Sequence, residues 1–489
     1  MKKYIVYLLV IGCCITFFGC QDLEEDAKGS LVADTFFSTE GDLDAAVVAA
    51  FKPLISGWSG FNAAQSYVPV MGGDDVTTHP KSNKLPFRQF DLHNVSSDNE
   101  PMRWTWSQLY QSILACNSVE DNYEKVSTTE EKKNEALAQV CFVRALSYFH
   151  LVQIWGDIPM PLTAEIDLLI EKTPIQQVYD QIYEDLEFAE QILPVTWSEE
   201  PGRPTKGAAK ALLAKVYLTN AGWPLKDAAM YAKAAAKAKE VMDLNQYALL
   251  PNYADLWKLA NGNNEESIFS FQHSKTTGTT FWFTGIASMP EAEEGGWDDV
   301  FSEIQFFYDF PAGPRKDATF YTVFKKKVDG EIVEVPWQES VQNNPYYQKF
   351  RDGAVDEENP WSAQMGTDFK MPYIRYADLL LMYAEATCMS SGPDEFAYRA
   401  INDVRNRAGL ADLTENLSQT AFRDSVIAER GWELACERHR WFDLVRTEKV
   451  EEIALKRHPE DIPFFDLPTK DDYLAPIPQR EVDKNPNLK

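Results

Sequence analysis

Apolar residues recur at helical spacing along most of this chain, so the pattern predicts a mainly α-helical protein. In the segment at about 127–155, Leu137 and Val140 fall on one side, while Phe142 and Phe149 fill the other. A helix that is apolar on both sides must lie between other helices. Further helices are expected at about 39–55, 205–219, 226–242, 371–388, 394–408 and 418–446.

Several of the predicted helices come in close pairs, joined by short turns such as Gly222-Trp223-Pro224 and Gly392-Pro393. Alanine stands where a neighbouring helix would approach, as at Ala384 and Ala386. Paired helices with small residues at their crossings are the sequence form of a tetratricopeptide-like superhelix. The strict consensus of that repeat is absent, so we expect a degenerate version with a few short strands.

Three helix starts carry recognisable capping patterns. Thr39 with Asp42 and Ser127 with Glu130 match the capping box, in which an N-cap side chain and an acid three residues later satisfy free backbone N–H groups. Thr173-Pro174 combines an N-cap residue with a proline at the first helical position. These patterns predict helices that begin at those residues.

Two regions, about 57–103 and 245–370, break the helical pattern. The first is rich in Gly, Asn, Pro and aromatic residues, and the second mixes many Trp, Phe and Tyr residues with strand-like runs such as 267–271. Loop regions of this length inside a folded domain are usually functional. We therefore expect the ligand site in these two regions.

The first twenty residues have the pattern of an export signal. Lys2 and Lys3 precede an apolar run that ends at Phe18, and Gly19 comes just before Cys20. The run is shorter than the roughly 20 residues that span a bilayer. A cysteine at the cleavage point is similar to a bacterial lipobox, so residues 1–19 are expected to be removed and Cys20 to be acylated. Residues 20–30 then form an acidic tether, and residues 31–489 a single domain.

Charge and cysteine usage restrict the partners. The formal net charge of −28 at pH 7 repels polyanions, which excludes nucleic acid as a ligand and leaves membrane attachment to the lipid.

Beyond Cys20, the chain has Cys116, Cys141, Cys388 and Cys436, each inside a helical pattern. Because no metal-ligand spacing appears, we expect four core residues and neither disulfides nor a zinc site.

The densest charged cluster, at 429–446, could supply the paired carboxylates of a glycosidase. Its acids and arginines stand three residues apart, however, as Arg430 with Glu433, Glu437 with Arg440 and Asp443 with Arg446. Nearby arginine lowers the pKa that a catalytic acid needs raised, so structural ion pairs are favoured. Arg144, on an apolar helix, is expected to pair with one of these acids.

No other enzyme motif is present. The six histidines show no metal-binding spacing, and no nucleophile elbow or phosphate-binding loop occurs in the required context. We expect no cofactor. Asp74 and Asp75 could hold calcium, but one such pair is weak evidence, and hydrogen bonding to sugar hydroxyls fits them equally well.

Loop aromatics are the better functional lead. A sugar ring presents a flat face of C–H bonds and a rim of hydroxyls, so its binder needs aromatic faces flanked by polar groups. The loop residues that could supply faces are Trp58, Phe61, Trp282, Phe283, Trp297, Trp337 and Trp361. The polar partners are Asp74, Asp75, Asn94, Asp98, Asn99 and Arg103. Asp74, Asp75, Trp282 and Trp297 rank first.

Several segments of the chain form recognisable motifs, among them Arg440-Trp441-Phe442-Asp443-Leu444 and Leu474-Ala475-Pro476-Ile477-Pro478 near the C-terminus. Further such segments are Trp106 to Asn117, Phe142 to Phe149, Trp155 to Pro161, Ile374 to Ala386, Ile401 to Leu410 and Glu429 to Leu434. In order and spacing these segments resemble the SusD/RagB family, and the resemblance covers the whole length of the chain.

The resemblance implies a SusD-like fold and a surface-exposed outer-membrane lipoprotein without catalytic activity. Such a protein binds oligosaccharides or polysaccharides and sits as a lid on a SusC-like TonB-dependent transporter. Two alternatives stay open. RagB-like members imply a peptide ligand, which would need a deep cavity. A secreted all-helical glycosidase would need two carboxylates facing each other across a cleft.

Overall fold

The computed structural model describes residues 36–55, 69–198, 200–281, 285–364 and 366–489. Helices dominate these ranges, as the sequence predicts. They are α1 (Glu40–Ile55), α2 (Leu85–Asp91), α3 (Glu100–Glu120), α4 (Glu130–Trp155), α5 (Ile175–Ile192), α6 (Lys206–Asn220), α7 (Ala229–Asp243), α8 (Glu291–Glu294), α9 (Ile304–Asp309), α10 (Pro314–Thr319), α11 (Tyr376–Ser391), α12 (Glu395–Arg407), α13 (Gln419–Glu433), α14 (Arg440–Arg446), α15 (Val450–Ala454) and α16 (Gln479–Lys484).

The long helices form one continuous stack. Helix α1 packs on α3, α3 on α4, α4 on α5, α5 on α6, and α6 on α7; α7 then packs on α11, which also contacts α12 and α13. Alanines at the crossings are buried, including Ala208, Ala211, Ala238, Ala384 and Ala386. This arrangement confirms the predicted tetratricopeptide-like superhelix.

Helix α4 is the centre of the stack. Its sequence is long and apolar enough to cross a membrane, but 89% of its most apolar window is buried inside the protein. Residues on both of its sides, such as Val140 and Phe142, are no more than 1% exposed. Helix α4 is therefore a core helix, as its two apolar sides predict.

Six short strands pair in three antiparallel sheets of two strands each within the described residues. The strands are β1 (Ser267–Gln272), β2 (Phe320–Tyr321), β3 (Val323–Val328), β4 (Glu331–Pro336), β5 (Tyr346–Tyr347) and β6 (Lys370–Arg375). β1 pairs with β6, β2 with β5, and β3 with β4 as a hairpin. All but β6 lie entirely in the predicted loop region 245–370. Part of this region, including Phe269 and Phe271 of β1, joins the main core, and another part packs around a second, smaller core of Phe301, Ile304, Phe324, Trp337 and Tyr346.

Two predicted helices have different bounds. The start of the predicted helix 371–388 is strand β6, and α11 begins only at Tyr376, because pairing with β1 overrides the local pattern. The predicted helix 418–446 is divided into α13 and α14. Cys436 and Arg438, with φ values of 62° and 71°, lie in the left-handed region and end the first helix.

The capping predictions had mixed outcomes. Thr39 and Asp42 form the expected reciprocal pair, with the Thr39 N–H donating to Asp42 Oδ2 at 2.8 Å. The cap before α4 is Thr129 and not Ser127. Thr173 does not cap α5; instead the Ile175 N–H donates to Asp157 Oδ1 at 2.8 Å.

Candidate functional site

A polar cleft of about 370 Å³ lies beside the C-terminal end of α13. We call it the Trp432 cleft, after the half-buried indole on its wall. Its lining residues are Asp74, Glu303, Gln305, Phe306, Asp309, Ala428, Gly431, Trp432, Arg440, Ile453, Lys456 and Arg457. Helices α9, α13, α14 and α15 and the loop before α2 thus meet at this cleft.

Helix geometry explains the position of Trp432. Phe422, Val426, Glu429 and Glu433 follow each other at helical spacing and face the interior. Trp432 follows one turn after the small Ala428; its ring packs in part against the main core and also borders the cleft. The same helix therefore supplies core side chains and an indole at the wall of the cleft.

Asp74 and Arg440 form a bidentate pair in the cleft. The Asp74 carboxylate accepts hydrogen bonds from Arg440 Nε at 2.5 Å and from Nη2 at 3.0 Å. Two glycines permit this approach, since a Cβ at Gly431 would lie 2.8 Å from Arg440 Nη1 and one at Gly73 would lie 3.1 Å from Arg440 Cγ. Two parallel bonds fix the orientation of both groups.

Asp75 points away from the cleft and is 2% exposed. Its carboxylate accepts the Cys436 N–H at 2.8 Å, and its carbonyl accepts the Tyr347 hydroxyl. Burial raises the pKa of Asp75 to about 7. Ligand binding by Asp74 and Asp75 stays a prediction, and the burial of Asp75 favours a role in anchoring the loop.

Further charges lie at the inner end of the cleft. Arg457 contacts Asp91 at 3.1 Å and Glu303 at 2.8 Å. Burial raises the pKa of both carboxyl groups, which share this one guanidinium. At the rim, Gln305 Nε2 donates to Asp309 Oδ1 at 2.8 Å. The cleft therefore offers an indole together with amide, carboxylate and guanidinium groups, a combination that can stack on a sugar ring and bind its hydroxyls.

Trp361 marks a second surface, which we call the Trp361 platform: Trp361 and the lysines of β3, Lys325, Lys326 and Lys327. The indole is half-buried and its Nε1–H donates to the Glu293 carbonyl at 3.2 Å. Lys327 Nζ lies 4.1 Å from the centroid of the ring. The ring is thus fixed by one hydrogen bond and faces a cation.

Two further indoles of the prediction lie within the described residues. Trp297 is half-buried and packs against the main core. Trp337 is 3% exposed and lies in the second core, with its ring centroid 5.6 Å from that of Phe307, so its prediction as an exposed face is wrong. Sequence could not separate these cases, because a loop tryptophan is equally suited to anchor its loop.

The polar partners from the first loop region fall into two groups. Asn94 and Asp98 are exposed, and ligand binding by either stays a prediction. Asn99 is buried as the N-cap of α3, where its Oδ1 accepts the Met102 N–H at 3.1 Å. Arg103 pairs with Glu100 on the same helix. The side chains of Asn99 and Arg103 therefore already have partners within the protein.

Several predicted residues lie outside the described residues. They are Cys20, Trp58, Phe61, Trp282 and Phe283. The prediction of acylation at Cys20 and of ligand contacts at the four aromatic residues stays as stated above. The four cysteines expected in the core are buried, as predicted.

The charged cluster at 429–446 is structural, but its pairs differ from the expected ones. Only Asp443 with Arg446, at 2.7 Å, is confirmed. Arg430 binds Asp378 and Asp443 across helices, and Arg440 binds Asp74. The break between α13 and α14 changes the alignment of Glu437 with Arg440, whereas Arg430 and Glu433, both on α13, bind partners from other elements instead.

Glu433 is the centre of this cluster, which we call the buried charge cluster: Glu266, Arg315, Lys349, Arg375, Arg407, Glu429, Glu433 and Glu437. Arg375 reaches Glu266 at 2.8 Å, Glu433 at 2.5 Å and Glu437 at 2.8 Å. Burial alone would raise the pKa of Glu433, but the guanidinium groups of Arg407, Arg375 and Arg315 hold it below its usual range. A glycosidase acid needs the opposite shift.

Arg144 does not pair with this cluster. Its guanidinium binds Asp185 with two bonds, at 2.9 and 2.7 Å, and also contacts Asn117 and Glu120. The expected partner was wrong because α4 packs against α3 and α5, and those neighbours carry the acids. Among the described residues, no group of three or more His, Cys, Asp or Glu side chains could hold a metal ion.

A larger groove of about 560 Å³ lies between α1 and β1. Its lining is mostly apolar and includes Val48, Phe51, Ile55, Phe269 and Phe271. Apolar side chains suit this groove better than sugar hydroxyls do. It is the feature of the structure that fits the alternative of a peptide ligand.

Sequence reasoning missed Trp432, because the segment was treated only as a charged helix. One signal was available: Trp432 falls outside the 422–426–429–433 spacing of the core face, next to Ala428 and Gly431. The joining of this helix to the loop at Asp74, by contrast, depends on tertiary packing.

Comparison with known proteins then decides the family. One family model, described as "SusD family", matches residues 334–489, and a second, described as "Starch-binding associating with outer membrane", matches residues 37–218. Together the two matches cover more than half of the chain. The chain belongs to the SusD/RagB family.

Similar SusD-like proteins extend over nearly the whole chain. SusD-like protein P2 of Formosa agariphila is 29% identical over 100% of this chain and 99% of its own. A crystal structure of a SusD superfamily protein from Parabacteroides distasonis is 28% identical, with a TM-score of 0.76 over 94% of this chain and 98% of that one. A laminarin-binding SusD-like protein is 25% identical, with a TM-score of 0.73 over 92% and 98% of the two chains.

Proposed function

We propose that this SusD-like protein is a non-catalytic glycan receptor that binds oligosaccharides or polysaccharides in the Trp432 cleft. The observation that carries the proposal is the half-buried Trp432 beside the Asp74–Arg440 pair in a polar cleft of about 370 Å³. An indole face supplies the apolar contact for a sugar ring, and the fixed carboxylate and guanidinium supply hydrogen bonds. The laminarin-binding relative and the starch-binding description of the second family model support this ligand class.

We also propose that the protein is anchored by acylated Cys20 on the outer face of the outer membrane and passes its ligand to a SusC-like TonB-dependent transporter. Multiple acyl chains on one residue give stable anchoring where a single chain does not. The description of the second family model associates its members with the outer membrane. Exchange of Cys20 for Ala should release the protein from membranes, and co-purification from native membranes should recover a large barrel protein.

A glycan panel tests the ligand class. The full-length chain in detergent is run through native gels that contain laminarin, dextran or starch, and the same glycans are assayed for new reducing ends. Retention without new ends supports a receptor, whereas new ends would show a glycosidase. Indifference to every glycan would contradict the proposal.

A second candidate, a peptide receptor, is favoured by the apolar groove between α1 and β1. Its test uses Phe51, which lines the groove and lies outside the Trp432 cleft. If a peptide mixture binds and Phe51→Ser abolishes that binding while glycans are ignored, the peptide function replaces the glycan function.

A further inference from the structure

The β3–β4 hairpin carries three consecutive lysines on β3, together with three acids, Asp329 in its turn and Glu331 and Glu334 on β4. Lys325, Lys326 and Lys327 are the longest run of lysines in the sequence. Within the part of the chain that the structure describes, none of the three forms an ion pair, although most other lysines there do. Ion pairing within these residues therefore does not engage the three ammonium groups.

Two of these lysines share a face of the hairpin. Side chains alternate along a strand, so Lys325 and Lys327 project to the same side. Lys327 is exposed and its ammonium lies 4.1 Å from the centroid of the Trp361 ring. Because the indole is fixed at its Nε1–H, the cation and the ring form a defined pair at the surface.

The nearest carboxylates are already engaged elsewhere. Glu294 is buried and binds Arg351 at 3.3 Å, and it also accepts the Lys325 N–H at 3.0 Å. Glu357 pairs with the same Arg351 at 3.1 Å. The hairpin's own acids are Asp329, Glu331 and Glu334, and Glu334 is the cross-strand neighbour of Lys325. None of these three acids forms an ion pair with a described lysine of the hairpin.

We propose that the Trp361 platform binds acidic units of the glycan, which carry a carboxylate or a sulfate group. The indole face would stack on the sugar ring while Lys327 and Lys325 pair with its anionic substituent. The net charge of −28 repels an acidic polymer over most of the surface, but charges more than about 8 Å apart are largely screened at physiological salt, so the lysines of the platform dominate at contact distance. This inference rests on the proposed glycan-binding function and adds the substrate class.

The test compares neutral and acidic polymers in native affinity gels. Laminarin and dextran are the neutral probes, and polygalacturonate and dextran sulfate are the acidic ones. We expect the full-length chain to be retained by at least one acidic polymer, and we expect the retention to fall at least fivefold between 50 and 500 mM NaCl. The double variant Lys325→Gln/Lys327→Gln should weaken that retention at least fivefold and leave neutral binding within twofold.

Two controls make the outcome specific. Lys484→Gln removes an exposed lysine on α16 and should change nothing. Trp361→Ala should reduce binding of the acidic polymers although the net charge of the protein is unchanged. Such a loss distinguishes binding at the platform from general electrostatic attraction. Retention by neutral polymers alone, or acidic retention that ignores both lysines and Trp361, would overturn this inference and leave the receptor function standing. Retention by no polymer would overturn the receptor function as well.

Discussion

The buried charge cluster and the Trp361 platform use charge in opposite ways. In the cluster, Arg375 is 2% exposed and contacts three carboxylates within 2.8 Å. On the platform, Lys327 is exposed beside an aromatic ring and has no carboxylate partner among the described residues. Removing one partner from the buried charge cluster leaves an unpaired charge without water, whereas the lysine charge on the Trp361 platform is already solvated.

This difference shows which charges of the chain hold the fold and which are free for a ligand. Buried carboxylates that surround guanidinium groups stabilise the fold, even where their spacing in the sequence suggests a catalytic pair. A cation beside a fixed indole at the surface indicates recognition.

The largest effect is expected for Arg375→Met. The substitution leaves Glu266, Glu433 and Glu437 buried without their shared partner, which typically costs about 3–5 kcal/mol of unfolding free energy. Urea denaturation followed by circular dichroism measures it, with Lys484→Gln as the neutral control. A loss below about 1 kcal/mol would show that the cluster does not hold the helices together.

Asp75→Asn should change how stability depends on pH. The pKa of Asp75 is raised from 3.8 to about 7, so the folded state binds an extra proton between these values. This group's contribution is complete below about pH 4 and is lost as pH rises to about 7, by an amount on the order of a few kcal/mol. Asparagine keeps the acceptor for the Cys436 N–H but does not titrate.

The measurement is the unfolding free energy of both proteins at several values between pH 4 and pH 8. The wild type should lose stability relative to the variant as pH rises through this range. If the two curves of unfolding free energy against pH run parallel, Asp75 titrates normally and its burial does not anchor the loop at residues 74 and 75.

Trp432→Ala should weaken glycan binding at least tenfold, which corresponds to about 1.4 kcal/mol, because the indole is the main apolar contact of its cleft. Isothermal titration calorimetry gives the affinity, with an oligosaccharide fragment of a glycan that retains the protein in the native gels as the ligand. Trp197→Ala is the matched control, since Trp197 is also half-buried but lies outside the cleft. Equal affinity of the two variants would remove the cleft from the binding site.

The smallest effect is expected for the stability of Lys327→Gln. An exposed cation–π contact contributes about 0.5–1 kcal/mol at most, so the variant should unfold within that range of the wild type. The same urea titration measures it. A loss comparable to that of Arg375→Met would mean that the hairpin lysines are structural, which would abolish the contrast between the two regions.

The helical scaffold was predictable because its signals lie within short segments of sequence. The helical spacing in 127–155 and the small residues such as Ala384 can be read from residues close in sequence, and the structure confirms both. Strand β6 and the break at Cys436 depend on contacts with distant segments, so the local pattern gave a continuous helix in both places.

The candidate site was less predictable for the same reason. The sequence indicated Asp74 and Trp361 as polar and aromatic loop residues, but it gave no means to tell them from Asp75 and Trp337, which packing buries. Trp432 lies on a helix and lines the same cleft as Asp74, which pairs with Arg440, a residue 366 positions further along the chain. Such a site exists only once the two ends of the chain are folded together.

Radical footprinting of the tryptophans, with and without a bound neutral oligosaccharide, shows which indole the glycan covers. We expect Trp432 to become protected from oxidation in the complex while Trp197 keeps its reactivity. An unchanged oxidation rate of Trp432 with a neutral oligosaccharide that the protein demonstrably binds would contradict the assignment of the cleft as the binding site.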